Sequence, residues 1–76
     1  MIRKEDIAGA PFRIGAKVTV VQVVDATGGK EFVGKTGEIV HYEYDCGCGQ
    51  TFPNDPMIGV RFPDGTEEEF WTEELY

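Results

Sequence analysis

The sequence has few of the residues from which metal centres and covalent frameworks are built. Its 76 residues include two cysteines, one histidine and one tryptophan. Two cysteines do not make the disulfide framework of a small secreted protein. No apolar run follows the first residues, so neither a signal peptide nor a membrane-spanning helix is expected. We therefore expect a cytoplasmic protein without membrane insertion.

Basic residues are scarce in the second half of the chain. Residues 41–76 contain one basic residue, Arg61, against nine acidic ones, a net charge of −8, whereas residues 1–40 contain six basic and five acidic residues. The whole chain therefore carries −7. An acidic surface repels phosphate, so nucleic acid is a disfavoured partner and a basic protein or peptide is a favoured one.

The chain is long enough for one domain only. A domain of this size buries about 60% of the surface of its unfolded chain, which argues against a large enclosed active-site cavity. Ten glycines and four prolines favour many turns joined by short strands. The sequence contains no catalytic motif, so we expect a non-enzymatic protein without a cofactor.

Four segments have the composition of short strands, because β-branched and aromatic residues suit a pleated surface. They are Lys17–Val24, Lys35–Tyr44, Met57–Phe62 and Thr66–Trp71. These segments, with the C-terminal Leu75, predict a core of Val18, Val20, Ile39, Val60, Phe62, Phe70 and Leu75.

The second of these segments is expected to alternate between two faces. A period of two puts Ile39 and His41 on one face and Val40, Tyr42 and Tyr44 on the other. Gly37 in the same segment indicates a bulge or a close backbone approach.

Turn residues separate the strands. Pro63-Asp64-Gly65 predicts a tight two-residue hairpin, and residues 72–75 predict a single 3₁₀ turn with Leu75 as its anchor. Phe32 and Val33, which follow a Gly-Gly turn, are expected to fold back onto the core.

The order of these motifs resembles the SH3-like barrels. The resemblance covers Gly15–Val20, Gly34–Val40, Gly59–Gly65 and Phe70–Leu75. It implies an all-β fold: a small barrel of four to five short antiparallel strands with a C-terminal 3₁₀ turn. The predicted organisation is an irregular N-terminal arm at residues 1–14 and a barrel at residues 15–76, with a loop insertion at residues 45–56.

Within the SH3-like barrels the strand rhythm is similar to that of the small peripheral subunit of photosystem I, which implies a docking scaffold without catalytic residues. Orphan barrels of mobile gene cassettes also look similar. The plasmid-borne dihydrofolate reductases share the barrel, but Gly59–Phe62 stands where their active-site stretch is expected. The ribosome- and transcription-associated barrels share the opening motif, but they are usually basic, whereas this chain is acidic.

Cys46 and Cys48, with His41 upstream, are weak candidates for metal ligands. Thiolates and imidazole bind zinc, but a closed structural site needs four ligands and this set is incomplete. The alternative is two ordinary thiols on a loop and a half-buried strand histidine.

The aromatic residues give a stronger functional hypothesis, because there are more of them than a small core can hold. We expect a partner-binding face that combines aromatic and acidic side chains: Tyr42, Tyr44, Trp71, Glu43 and Glu69. Such a face would bind a protein or peptide, with aromatic anchors and carboxylates that attract a basic partner. Burial of the same rings against a second copy of the chain is the competing account, which leaves a homo-oligomer open. An enzyme formed between subunits and a small metal-binding protein are the remaining alternatives.

Overall fold

The computed structural model describes residues 2–23, 30–44 and 53–76. These residues form five β-strands and two 3₁₀ turns, and they contain no α-helix. The strands are β1 (Ile2–Arg3), β2 (Lys17–Thr19), β3 (Thr36–Glu43), β4 (Met57–Arg61) and β5 (Glu67–Phe70), and the 3₁₀ turns cover Lys30–Phe32 and Thr72–Glu74. The predicted all-β fold with a C-terminal 3₁₀ turn is confirmed.

The long strand β3 organises the sheet. Every pairing is antiparallel, and the strand order is β1-β3-β4-β5. Strand β2 pairs with the beginning of β3, and β1 pairs with its end, at Tyr42 and Glu43. The arm therefore contributes a short strand, where the sequence indicated irregular structure.

The C-terminal residues close the sheet into a small barrel. Thr19 and Tyr76 exchange two backbone hydrogen bonds of 3.0 and 2.9 Å, and Val20 forms a β-bridge with Leu75. On its other side, the Val20 N–H donates to the carbonyl of Lys35 at 3.0 Å. The chain after β2 thus lies between β3 and the C-terminus.

The core is a single apolar cluster inside this barrel. All seven predicted core residues are buried, together with Phe32, Tyr42, Tyr44 and Ile58. The Phe32 and Phe62 rings stack with centroids 4.9 Å apart, and Phe70 meets both rings edge-on. Phe12 and Ile14 of the arm pack against the cluster.

Gly37 marks a close approach of two strands. A Cβ at this position would lie 2.6 Å from Val60 Cγ1 and 2.7 Å from the Arg61 carbonyl oxygen. Only glycine fits between these atoms, so the close approach that the sequence indicated is present.

Two local expectations were wrong. Val33 is 47% exposed, because the chain turns outward after Phe32. The hairpin between β4 and β5 has a three-residue loop rather than a two-residue one. Its Gly65 N–H donates to the Phe62 carbonyl at 2.9 Å, Phe62 N–H donates to the Thr66 carbonyl at 2.8 Å, and Gly65 has a φ of 90°. This is a type I turn followed by a glycine bulge, the usual form of a three-residue hairpin loop.

A bulge in the middle of β3 reverses the strand's two faces. Ile39 pairs with Val60 and His41 pairs with Gly59, so one extra residue, Val40, stands between consecutive partners. An extra residue shifts the alternation by one position. Tyr42 therefore faces the core as Ile39 does, and His41 faces outward, which is the opposite of the arrangement expected from a regular period of two.

Candidate partner-binding face

The outward sides of the strands form one continuous surface, which we call the outer face. Cross-strand pairing aligns its residues in rows that run across the sheet. Its members are Ile2 on β1; Lys17 and Thr19 on β2; Thr36, Glu38, His41 and Glu43 on β3; Met57, Gly59 and Arg61 on β4; and Glu67 and Glu69 on β5. Trp71, one residue beyond β5, has an extended backbone, so strand alternation puts it on the same side as Glu69.

Three of the five predicted binding residues lie on this face. Glu43 and Glu69 belong to different strands, separated by β4, and Trp71 follows two residues after Glu69. Glu43, Glu69 and Trp71 are each half-buried, which leaves part of every side chain accessible. The sheet thus puts the Glu43 carboxylate on the same face as Glu69 and Trp71, which lie more than 25 residues later in the sequence.

The other two predicted binding residues lie in the core. Tyr42 is 0% exposed and Tyr44 is 1% exposed, so neither ring provides contact area to a partner in this structure. The bulge at Val40 explains why period-two reasoning put them on the wrong face. They do share one face of β3, as expected, but it is the inner one.

The two tyrosines instead fasten neighbouring segments to the barrel. The Tyr42 hydroxyl donates to the Phe12 carbonyl of the arm, and the Tyr44 hydroxyl donates to the Pro53 carbonyl at 2.8 Å. Burial raises the pKa of Tyr42 above its ordinary value, with the Asp6 carboxylate adding to the effect. Burial likewise raises the pKa of Tyr44.

The buried carboxylate of Glu74 binds the backbone of Trp71. Glu74 is 3% exposed, and its Oε1 accepts a hydrogen bond from the Trp71 backbone N–H at 2.7 Å. This bond satisfies a donor at the start of the second 3₁₀ turn, as a capping carboxylate does in a helix. The three-residue spacing of Trp71 and Glu74 was the available sequence signal for this cap.

One end of the outer face is occupied by ion pairs. Lys17 Nζ lies 3.4 Å from Glu38 Oε1, and Arg61 Nη2 lies 2.8 Å from Glu67 Oε2. These four residues form one cross-strand row of alternating charge, so this row is electrically neutral. The neutral row borders an open groove of about 500 Å³ that extends toward Phe62 and Pro63.

The middle of the face is built on a glycine. The His41 imidazole lies across Gly59 and reaches β5, where its Nε2 is 2.9 Å from Glu69 Oε2. A Cβ at position 59 would come within 2.1 to 2.4 Å of three ring atoms, so a side chain there would displace the ring. His41, considered from sequence as a metal ligand or a strand residue, is a partner of Glu69.

The described part of the chain does not contain a set of ligands for the metal site that the sequence suggested. Cys46 and Cys48 lie outside the described residues. Among residues 2–23, 30–44 and 53–76 there is no cluster of three or more histidine, cysteine or carboxylate side chains that could hold a metal ion. In the same ranges, no helix has the length and hydrophobicity needed to cross a membrane.

The fold and this face define an SH3-like barrel with an acidic, tryptophan-containing outer surface. Residues 1–76 match the family model described as "CarS bacterial SH3 domain", and the chain belongs to this family. No solved structure matches the chain.

A curated relative is the Antirepressor protein CarS of Myxococcus xanthus. It is 44% identical over 71 residues, which is 92% of this chain. The aligned part is 63% of the relative's length, so the chain spans less than two thirds of that protein.

These comparisons confirm the SH3-like resemblance and do not support the likeness to the photosystem I subunit. SH3 domains are protein-interaction modules rather than enzymes. Family membership therefore agrees with a non-enzymatic interaction module, which is the class of function expected from the sequence.

Proposed function

We propose that this chain is an antirepressor module whose outer face binds the basic, DNA-contacting surface of a repressor protein. The observation that carries the proposal is the family assignment combined with the relative named as an antirepressor. An antirepressor must reach the repressor, so the expected partner is a protein. A bacterial repressor meets its DNA in the cytoplasm, which is where we propose that the chain acts.

Charge complementarity favours the repressor's DNA-contacting surface over its other surfaces. DNA-binding proteins neutralise phosphates with lysine and arginine, so that surface is basic. The outer face has four carboxylates, Glu38, Glu43, Glu67 and Glu69, against Lys17 and Arg61, a net charge of −2 with His41 neutral. A protein that covers the repressor's basic surface competes directly with DNA.

The position of the proposed docking centre rests on the pairing of Glu69 and on the place of Trp71. Glu38 and Glu67 are each paired with a cation of the neutral row. Glu69 is paired with an imidazole, whose charge depends on pH. Beside Glu69, the same half of the face carries the Glu43 carboxylate and Trp71, so it combines acidic groups with an aromatic anchor, the combination that steers and then holds a basic partner.

A competition assay tests the proposal. The probe is the repressor that the Myxococcus xanthus relative antagonises, bound to a labelled operator, with this chain added as competitor. We expect release of the DNA, and we expect the Glu43→Gln, Glu69→Gln double variant to need about tenfold or more of the protein for the same release. A control variant with the same charge change off the face, Glu5→Gln with Glu31→Gln, should behave nearly as wild type.

Two results would reject the proposal. One is intact repressor–DNA complex at a large excess of the chain. The other is equal loss of competition in the two double variants, which would mean that overall charge matters and the outer face does not.

A further inference from the structure

His41 occupies an unusual position on the outer face. It is the chain's single histidine, and its side chain is 13% exposed. The ring spans β4 at Gly59, where the missing Cβ makes room for it, and connects β3 to Glu69 on β5. In the neutral ring that donates to Glu69, the proton is on Nε2, and Nδ1 is the atom that accepts a second proton.

Protonation of His41 changes the charge of the face by a large fraction. The face carries −2 with a neutral imidazole, so one added proton brings it to −1. The charged groups around the ring are Glu69 and Glu67 on β5, Arg61 on β4, and Glu43 and Glu38 on β3, with Lys17 beyond Glu38. Glutamate, lysine and arginine ordinarily keep their charge between about pH 5.5 and 7.5, whereas histidine ordinarily changes its charge in this range.

The pairing with Glu69 directs this charge change to the binding face itself. A protonated ring 2.9 Å from the carboxylate forms an ion pair, as Arg61 and Glu67 do in the neighbouring row. While the ring is protonated, the Glu69 carboxylate is paired with a cation, so it attracts a basic protein or peptide less strongly. The barrel is not expected to loosen, because an imidazolium beside a carboxylate is a favourable pair.

We propose that His41 is a positioning residue of the outer face that holds the Glu69 carboxylate and makes the affinity for a basic partner fall as the pH falls from about 7.5 to about 5.5. This inference rests on the proposed function, because it concerns the same face and the same class of partner. It adds regulation by pH.

Calorimetric titration with an oligo-arginine peptide at low salt tests it, because guanidinium groups stay charged throughout this range. Wild-type affinity should fall about two- to fivefold between about pH 7.5 and about pH 5.5, the size expected for one exposed ion pair. The His41→Gln variant keeps an N–H donor for Glu69 but cannot gain a proton, so its affinity should be nearly constant. A purely structural role of His41 would not produce this difference in pH profile.

Nuclear magnetic resonance of the free protein provides a readout without any peptide. Over the same pH range, the amide signals of Gly59 and Glu69 should move in the wild type and stay in place in His41→Gln. An equal pH response of the two proteins, in the signals or in the affinity, overturns the inference. If the wild type binds the peptide at neither pH, the inferred regulation of affinity is overturned even where the signals move as expected. The competition assay with the repressor decides the proposed function separately.

Discussion

At the scale of single residues, polar atoms in or under the sheet hold the molecule's separate segments together. Tyr42 fastens the arm through Phe12, and Glu74 fixes the backbone of Trp71. Each of these groups is buried, so each would lose free energy if its partner were removed. The proposed binding face thus depends on buried residues behind it.

Tyr42→Phe removes the hydroxyl that binds the Phe12 carbonyl. We expect the free energy of unfolding to fall by about 1–2 kcal/mol, because a hydrogen bond is lost and its acceptor is left without this donor. Urea denaturation measures the change. Tyr76→Phe is the matched control: its ring is 87% exposed, and its removal of a hydroxyl should leave the urea midpoint unchanged.

The same tyrosine should make the fold sensitive to alkali. Its pKa in the folded protein is raised above the ordinary 10.0, chiefly by burial, so the unfolded chain loses this proton at lower pH than the folded one. The associated stability is fully present below about pH 10 and is lost as the pH rises through the folded-state pKa. Urea midpoints measured from about pH 9 to about pH 11 should therefore fall less steeply in Tyr42→Phe than in the wild type. Parallel curves for the two proteins would contradict the assignment.

At the scale of elements, the bulge at Val40 decides which side chains form the face. Composition and alternation were enough to predict β3, β4 and β5 to within one residue at each end, and all seven core residues. They missed β1, and they extended β2 to Val24 although the strand ends at Thr19. They did not predict the bulge, because Val40 is as suitable for a regular strand as its neighbours, and the extra residue is set by pairing with β4. One inserted residue moved Tyr42 and Tyr44 inward and His41 outward. The assignment of Glu43, Glu69 and Trp71 to a binding face stays a prediction.

The hairpin between β4 and β5 depends on one backbone conformation. Gly65 has a φ of 90° and no atom lies within 4 Å of a Cβ built there, so a substitution adds strain without a clash. Gly65→Ala should lower the free energy of unfolding by about 1–2 kcal/mol, and Gly65→Asn should cost less because asparagine tolerates positive φ better. Thermal or urea denaturation of both variants checks the order, and an Ala variant as stable as the Asn variant would show that the turn conformation is not the constraint.

At the scale of the whole molecule, the barrel separates its core side from the side that we propose binds a partner. The inner side carries the aromatic core, and the outer side carries the pairs Lys17–Glu38 and Arg61–Glu67 at one end and Glu43, the His41–Glu69 pair and Trp71 at the other. The domain division at residue 14 stays a prediction, which truncation of the arm addresses. Self-association through Trp71 also stays a prediction, which sedimentation of Trp71→Ala addresses. The family assignment supplies a function class that neither composition nor geometry determines alone.

The central claim is that partners meet the outer face and leave the tyrosine side of β3 buried. Chemical-shift mapping of the isotope-labelled chain with the repressor's DNA-binding domain tests it most directly. We predict that the largest changes occur at the Trp71 indole and at the amides of Gly59 and Glu69, and that they weaken as salt is added. Changes confined to the arm around Phe12, with the signals of Gly59, Glu69 and Trp71 unmoved, would contradict the account.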